Sequence, residues 1–131
     1  MRILLDTSYL YNLLDAPGRL TETERLILSN PEVTLFVSAV SIWEMRLKFS
    51  AQHRSGARKS RFDPGDVVTI LEDQDFTFLP MTIAHAATRL ETPIRHKDPF
   101  DEMLLIQAQE EGLRLLTVDR QLISHPLAIA P

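Results

Sequence analysis

Five acidic residues of the 131-residue chain stand where short apolar runs end or where helices are expected to begin: Asp6, Glu44, Asp98, Asp101 and Asp119. The carboxyl ends of parallel strands converge at one edge of an α/β sheet, and ligands bind at that edge. Carboxylates gathered there oppose each other's ionisation unless a cation neutralises them. Mg²⁺ or Mn²⁺ prefers oxygen ligands, activates water and stabilises the oxygens of an in-line displacement at phosphorus. The pattern therefore predicts metal-dependent hydrolysis of a phosphodiester.

Each of these acids also has a structural interpretation. The segment Asp98–Asp101 (D-P-F-D) is an ordinary helix start, with an aspartate cap followed by proline. The chain supplies its own control, because Asp63–Asp66 (D-P-G-D) repeats the pattern away from any expected strand end, and only capping is expected there. Glu44 is harder to explain structurally, since it lies beside Trp43 in an otherwise apolar helix, where a carboxylate needs a partner or a metal.

The elements that must position these acids alternate along the chain, which predicts an α/β fold with a mainly parallel sheet. Strands are expected at Arg2–Leu5, Val33–Val37, Phe76–Leu79, Leu113–Val118 and Leu127–Ile129. Helices are expected at Thr7–Leu14, Thr21–Ser29, Ala39–Phe49, Asp63–Leu71, Ile83–Leu90 and Asp98–Glu111. Gly112 is the expected C-terminal cap of the last helix. No repeat or linker interrupts residues 1–131, so a single domain is expected.

Composition excludes several classes of protein. The chain has no cysteine, which rules out a disulfide scaffold, a thiol nucleophile and a zinc–thiolate site. No apolar run approaches the roughly 20 residues of a membrane-spanning helix, and the first residues lack the features of a signal peptide. A cytoplasmic protein with no membrane partner is therefore expected.

Four motifs follow one another along nearly the whole chain: ILLDTS at Ile3–Ser8, SAVSIWEMRLK at Ser38–Lys48, HKDPFDEMLLIQA at His96–Ala108 and EGLRLLTVD at Glu111–Asp119. In this order they resemble the PIN domain, specifically the toxin ribonuclease of VapBC-type toxin–antitoxin pairs. The resemblance implies a three-layer α/β/α sandwich and a Mg²⁺- or Mn²⁺-dependent endoribonuclease. Its acidic quartet carries over as Asp6, Glu44, Asp101 and Asp119, with Asp98 as a neighbouring acid that also binds the metal.

The resemblance carries further implications for supporting residues and partners. Thr7, Thr117 and Ser41 match hydroxyl positions that support the metal and its waters. An RNA substrate, a small antitoxin that blocks the site and a homodimeric resting state are all implied. Glu102 departs from the family pattern, because many relatives have arginine there.

The basic residues are unevenly distributed in a chain whose net charge is −4. The segment from Met45 to Phe62 contains no acid but six basic residues: Arg46, Lys48, Arg54, Arg58, Lys59 and Arg61. We hypothesise that this segment, through Arg46, Lys48 and Arg54, holds an RNA backbone together with His96, because Lys and Arg contacts position phosphates without reading sequence. A solvated loop and a surface that packs against the antitoxin are the alternatives.

Rival functions belong to other classes. A catalytically inactive PIN-like module that binds RNA or protein is the non-enzymatic alternative, although the presence of all four acids argues for an enzyme. A haloacid-dehalogenase-like phosphotransferase needs a second Asp two residues after Asp6, where this chain has Ser8. A phosphate-receiver module needs paired N-terminal acids and a lysine after a late strand, which are also missing.

Overall fold

The central element of the fold is one five-stranded sheet. The computed structural model describes residues 1–51, 56 and 60–131, so Arg54, Arg58 and Lys59 of the basic segment lie outside the described residues. The strands are β1 (Arg2–Leu5), β2 (Thr34–Ser38), β3 (Thr77–Leu79), β4 (Arg114–Leu116) and β5 (Ala128–Ile129). Their order is β3-β2-β1-β4-β5, and every neighbouring pair is parallel, which confirms the predicted sheet.

Helices occupy the connections between the strands. They are α1 (Thr7–Asp15), α2 (Glu22–Ser29), α3 (Ala39–Ser50), α4 (Pro64–Asp73), α5 (Ile83–Ala87) and α6 (Pro99–Glu111). The predicted caps form: the Thr21 hydroxyl accepts from the Glu24 amide at 3.1 Å, and Gly112 ends α6 in the left-handed conformation. None of the described helices is long and apolar enough to cross a membrane.

Two elements are each three residues shorter than predicted. Helix α5 ends at Ala87 instead of Leu90 because the Thr88 hydroxyl bonds back to the Ala84 carbonyl at 2.6 Å, and the following chain turns toward α6. Strand β4 covers Arg114–Leu116 instead of Leu113–Val118, since its two neighbours pair with it only over that length. Neither change moves a predicted site residue to another connection.

The sheet is covered on both faces. Leu4 and Leu115 pack into one apolar core with Leu104 and Leu105 of α6. Their neighbours along the strands pack into a second core with side chains from α1, α3 and α4: Ile3, Leu5, Leu116, Leu10, Met45 and Leu71. Successive strand side chains point to opposite faces, so these two cores lie on the two sides of the sheet. The predicted three-layer α/β/α sandwich is confirmed.

Strand register brings three connections together at the carboxyl edge. Leu5 of β1 pairs with Leu116 of β4, so the next residues, Asp6 and Thr117, leave the sheet side by side. The Asp6 amide donates to the Leu116 carbonyl at 3.0 Å, which extends this pairing beyond the strand. On the other side of β1, the register Leu4–Phe36 leads to Ser38 at the end of β2.

Candidate active site

Asp6 lies at the centre of the acidic site, at the end of the central strand and at the start of α1. Its side chain is only 1% exposed, and its Oδ2 accepts a hydrogen bond from the Thr117 hydroxyl at 2.7 Å. Burial raises the pKa of Asp6 from 3.8 to about 6, although the bond from Thr117 opposes the shift. The charges of three other acids raise this pKa further: Asp101, Asp119 and Glu44.

Thr117 connects two of the acids. Its hydroxyl donates to Asp6 and accepts from the backbone amide of Asp119 at 3.0 Å. Asp119 in turn accepts from the Gln121 amide through Oδ1 at 2.9 Å, which fixes the turn after β4. Thr117 therefore holds one carboxylate and places the backbone of another, while its support of a metal and its waters stays a prediction.

Glu44 lies on α3, and it is buried although it carries a charge. Its Oε2 pairs with the Lys48 ammonium at 2.9 Å, one helical turn further along. Burial alone lowers the pKa of Lys48, but the bond to Glu44 and the nearby negative charges together outweigh burial, so the net shift is upward. The Lys48 ammonium also lies 5.3 Å from the centre of the Tyr11 ring, so Lys48, a predicted RNA contact, is engaged within the protein.

A buried pair of hydroxyls connects α1 to α3. Thr7 Oγ1 and Ser41 Oγ lie 2.8 Å apart, and both residues are almost completely buried. Thr7 follows Asp6 directly, and Ser41 precedes Glu44 by one helical turn. The pair therefore holds two acid-bearing helices in one relative position, which is how Thr7 and Ser41 support the site in this structure.

The third group of acids lies at the start of α6. Asp98 caps the helix, because its Oδ1 accepts from the amides of Phe100 at 2.9 Å and Asp101 at 3.4 Å. Asp101 is 8% exposed, and its Oδ2 lies 2.8 Å from His96 Nε2. Burial raises the pKa of Asp101; the His96 bond opposes the shift, whereas the charges of Asp98 and Asp119 add to it.

The second D-P-x-D copy behaves as the sequence control predicted. Asp63 caps α4 by accepting from the Gly65 amide at 2.8 Å, and both Asp63 and Asp66 are exposed. The two copies therefore form the same helix start. Only the copy at Asp98–Asp101 lies among other carboxylates, which the local pattern does not encode.

The buried carboxylates of the site are ligands of the type that a divalent cation prefers, although their side chains do not surround a common point. As they stand, no three Asp, Glu or His side chains in the described ranges are grouped so that they could hold one ion. However, Asp6 Oδ1 and Glu44 Oε1 are buried and have no hydrogen-bond partner within the described chain. Buried polar atoms are rarely left unpaired, and carboxylate oxygens are the preferred ligands of Mg²⁺ and Mn²⁺.

Tyr11 adjoins Lys48 beside the acids, and the sequence reasoning did not single it out. Its hydroxyl is the third buried polar side-chain atom without a hydrogen-bond partner in the described part of the chain, and its ring adjoins Lys48. The spacing contained a signal, because Tyr11 follows Thr7 by four residues and so shares its face of α1. Arg46, another predicted RNA contact, is exposed on α3, and its role stays a prediction.

A buried polar network lies beside the site and also escaped the sequence reasoning. Gln107 on α6 is fully buried, and it accepts from the Ser38 hydroxyl at 2.5 Å. Its amide nitrogen donates to the Pro80 carbonyl and to His85 Nδ1, both at 3.3 Å. Ser38 caps α3 as well, by accepting from the Val40 amide at 3.0 Å. This network fixes the start of the helix that carries Glu44.

The fold and the site together define an α/β/α protein with an acidic cluster at the carboxyl edge of a parallel sheet. The family model of the PIN domain matches residues 3–126, and the chain therefore belongs to the PIN domain family. A search of curated proteins found no match. Among solved structures, VapBC2 from Rickettsia felis, bound to a DNA fragment from its promoter, is similar with a TM-score of 0.68 and 16% identity. The match covers 100% of this chain and 98% of the other, and at this identity it shows the shared fold.

Proposed function

We propose that this protein is a metal-dependent endoribonuclease that acts as the toxin of a type II toxin–antitoxin pair in the cytoplasm. The observation that carries the proposal is a pair of buried carboxylates, Asp6 and Glu44, each with an unpartnered oxygen, within electrostatic reach of Asp101 and Asp119. A chain gains no stability from confining such charges. The free-energy cost of burying these carboxylates is explained if a cation and a phosphate bind there.

Mg²⁺ or Mn²⁺ is the proposed cofactor, held by Asp6, Glu44, Asp101 and Asp119, with Asp98 beside them. When bound, such an ion activates water and stabilises the charge that develops at phosphorus. Every carboxylate of the quartet is restrained by a contact with a neighbouring residue. The restraining contacts are Thr117 to Asp6, Lys48 to Glu44, His96 to Asp101 and the Gln121 amide to Asp119.

Lys48 and His96 also have an electrostatic role in this proposal. Each places a donor within 2.9 Å of one carboxylate and so reduces repulsion among the acids. Each leaves the second oxygen of its carboxylate outside that contact. One oxygen of Glu44 and one of Asp101 thereby remain free of these two donors.

The proposed partner is a small antitoxin protein, and the resting state is a homodimer. The similarity to VapBC2 of Rickettsia felis supports an antitoxin, because that structure contains a toxin–antitoxin pair with promoter DNA. An apolar groove of about 420 Å³ on this chain is a surface against which such a partner would pack. It is lined by Leu13, Leu14, Leu20, Leu28, Ile70 and Phe76.

Cleavage of a mixed RNA pool tests the nuclease. The purified protein is incubated with Mg²⁺, Mn²⁺ or EDTA and compared with Asp6→Ala and Asp101→Ala. We expect cleavage only with metal and a loss of about 100-fold or more in both variants, since each removes a proposed ligand. Asp66→Ala is the matched control from the second D-P-x-D copy, and it should retain full activity.

The outcomes separate the rival functions. Cleavage in EDTA, or full activity in both variants, contradicts the metal mechanism. If the wild-type protein cleaves no RNA but still binds it or a protein partner, the inactive binding module is the better description.

A further inference from the structure

A second concave surface lies beside the acidic site, between the segment before α6 and the turn after β4. It is a cleft of about 510 Å³, which falls within the range of about 300–1,000 Å³ that is usual for ligand sites. None of the residues that line this cleft is acidic, although the chain as a whole carries more acids than bases. Its polar lining residues are Thr92, Arg95, His96, Arg120, Gln121, Ser124 and His125.

The walls of the cleft are fixed by a buried histidine. His125 Nδ1 accepts from the Leu127 amide at 3.2 Å, so Nε2 carries the proton and donates to the Thr92 carbonyl at 2.7 Å. Ile94 and Leu127 pack against the apolar core beneath the cleft. The two segments are therefore held together by the fold and do not merely lie next to each other.

The cleft concentrates unpaired positive charge. Arg95 and Arg120 both line it, both are exposed, and neither has a hydrogen-bond or ion-pair partner within the described chain. In contrast, the guanidinium of Arg61 pairs with Asp15, and that of Arg2 bonds the Glu111 carbonyl. Guanidinium groups bind phosphate through paired donors, so two of them in one acid-free cleft suit an anionic ligand.

The cleft also joins the acidic site at two points. His96 lines the cleft and bonds Asp101, while Arg120 directly follows Asp119. If one phosphate of a polynucleotide lies at the acids, the next phosphate along the strand lies at this cleft. Phosphate contacts of this kind set the position of a strand without reading its bases.

We propose that this cleft binds a nucleotide next to the scissile phosphate of single-stranded RNA, with Arg95 and Arg120 contacting its phosphate. The inference rests on the proposed nuclease function and adds a substrate-positioning subsite to it. Neither arginine belongs to the basic segment of residues 45–62, so this proposal places RNA contacts outside that segment.

Steady-state cleavage and equilibrium binding test the subsite. Arg95→Gln and Arg120→Gln are compared with wild type and with Arg25→Gln, a control at an exposed arginine of α2. We expect each cleft variant to raise KM about tenfold with kcat nearly unchanged, because the contact acts in binding. The slope of log affinity for labelled single-stranded RNA against log salt should fall by about 0.7 for each lost phosphate contact.

Each outcome of this test has a distinct meaning. Normal KM and normal salt dependence in both variants, while wild type cleaves RNA, overturn the subsite and leave the nuclease in place. An effect on kcat alone also overturns it, because the arginines would then act in the chemical step. RNA affinity that is lost in the variants, with no cleavage by wild type, keeps the subsite and removes the nuclease.

Discussion

Asp6 is the most deeply buried acid in the described chain. Its surroundings explain why it lies there and why its burial costs stability. It caps no backbone amide of α1 through its side chain, although it stands at the capping position. Its carboxylate instead faces the Thr117 hydroxyl and the charges of Glu44, Asp101 and Asp119. Asp6 therefore does not act as a local helix cap, and its role depends on tertiary contacts.

Asp6→Asn should stabilise the metal-free protein at neutral pH. Because the folded pKa is raised to about 6 from 3.8, protonation favours the folded state. The contribution of this group to stability is present below about pH 4 and is lost as pH rises through 6. Asparagine avoids this loss. Urea denaturation in EDTA should therefore show the variant more stable than wild type by up to about 3 kcal/mol at pH 7. Near pH 4 the two proteins should be equally stable.

Asp66→Asn serves as the control for this prediction, because Asp66 is exposed and the variant should match wild type within about 0.5 kcal/mol at both pH values. A variant at Asp6 that is less stable than wild type in EDTA at pH 7 contradicts the electrostatic explanation. Added Mn²⁺ should raise the melting temperature of wild type but not that of Asp6→Asn.

The hydroxyl pair of Thr7 and Ser41 should show energetic coupling. Thr7→Val or Ser41→Ala leaves one buried hydroxyl without its partner, at a cost of about 1–3 kcal/mol each. The double variant removes both hydroxyls, so its free energy of unfolding should fall by less than the sum of the single changes. Strictly additive costs would show that the 2.8 Å contact contributes nothing to stability.

At the scale of elements, the ends of α6 were the most predictable part of the molecule. Both its aspartate cap and its glycine stop form as the sequence predicted, because each depends on residues within a few positions of the helix end. The polar residue Gln107 in the middle of α6 was not predictable. Its partners Ser38 and His85 lie 69 and 22 residues away, so only the packing of three elements reveals why it is buried.

Gly112→Ala should destabilise the protein by about 1–2 kcal/mol. Gly112 has φ +67°, and a side chain there is strained even though only the end of Arg2 lies within 4.0 Å of the added carbon. Gly18→Ala is the matched control, because Gly18 does not have a positive φ and nothing lies within 4 Å of its added carbon. Thermal unfolding of both variants checks the expectation, and equal melting temperatures would contradict it.

For the whole molecule, the two cores on opposite faces of the sheet are the main stabilising feature. Leu105→Ala on α6 and Leu10→Ala on α1 should each lower the free energy of unfolding by about 2–5 kcal/mol. Because these leucines belong to different cores, we expect the two costs to add in the double variant within about 0.5 kcal/mol.

Leu105→Ala combined with Leu115→Ala provides the comparison, since both residues belong to one core. We expect their costs to depart from additivity, because loss of the first side chain lets the surroundings relax around the second. Denaturant titrations of the single and double variants measure both cases. If the pair Leu105 and Leu10 departed from additivity as much as the pair Leu105 and Leu115, the two cores would not be energetically separate.

The net charge of −4 conceals an uneven distribution of the basic residues. The structure shows which of these residues are already paired with acids. Of the basic segment, Lys48 is paired with Glu44 and Arg61 with Asp15. Arg95 and Arg120 lie beside the acids without a partner in the described part of the chain, and the sequence reasoning did not single them out. Their common cleft exists only after two distant segments are joined by His125.

The sequence by itself determined the order of strands and helices and both ends of α6. These depend on hydrophobic periodicity and on hydrogen bonds between near neighbours, which are written locally in the chain. Only the tertiary structure decided which contacts hold the acids, such as the bond from the Thr117 hydroxyl to Asp6. The reason is that convergence depends on strand register, which places Asp6 beside Thr117 across 111 residues and which no local pattern specifies.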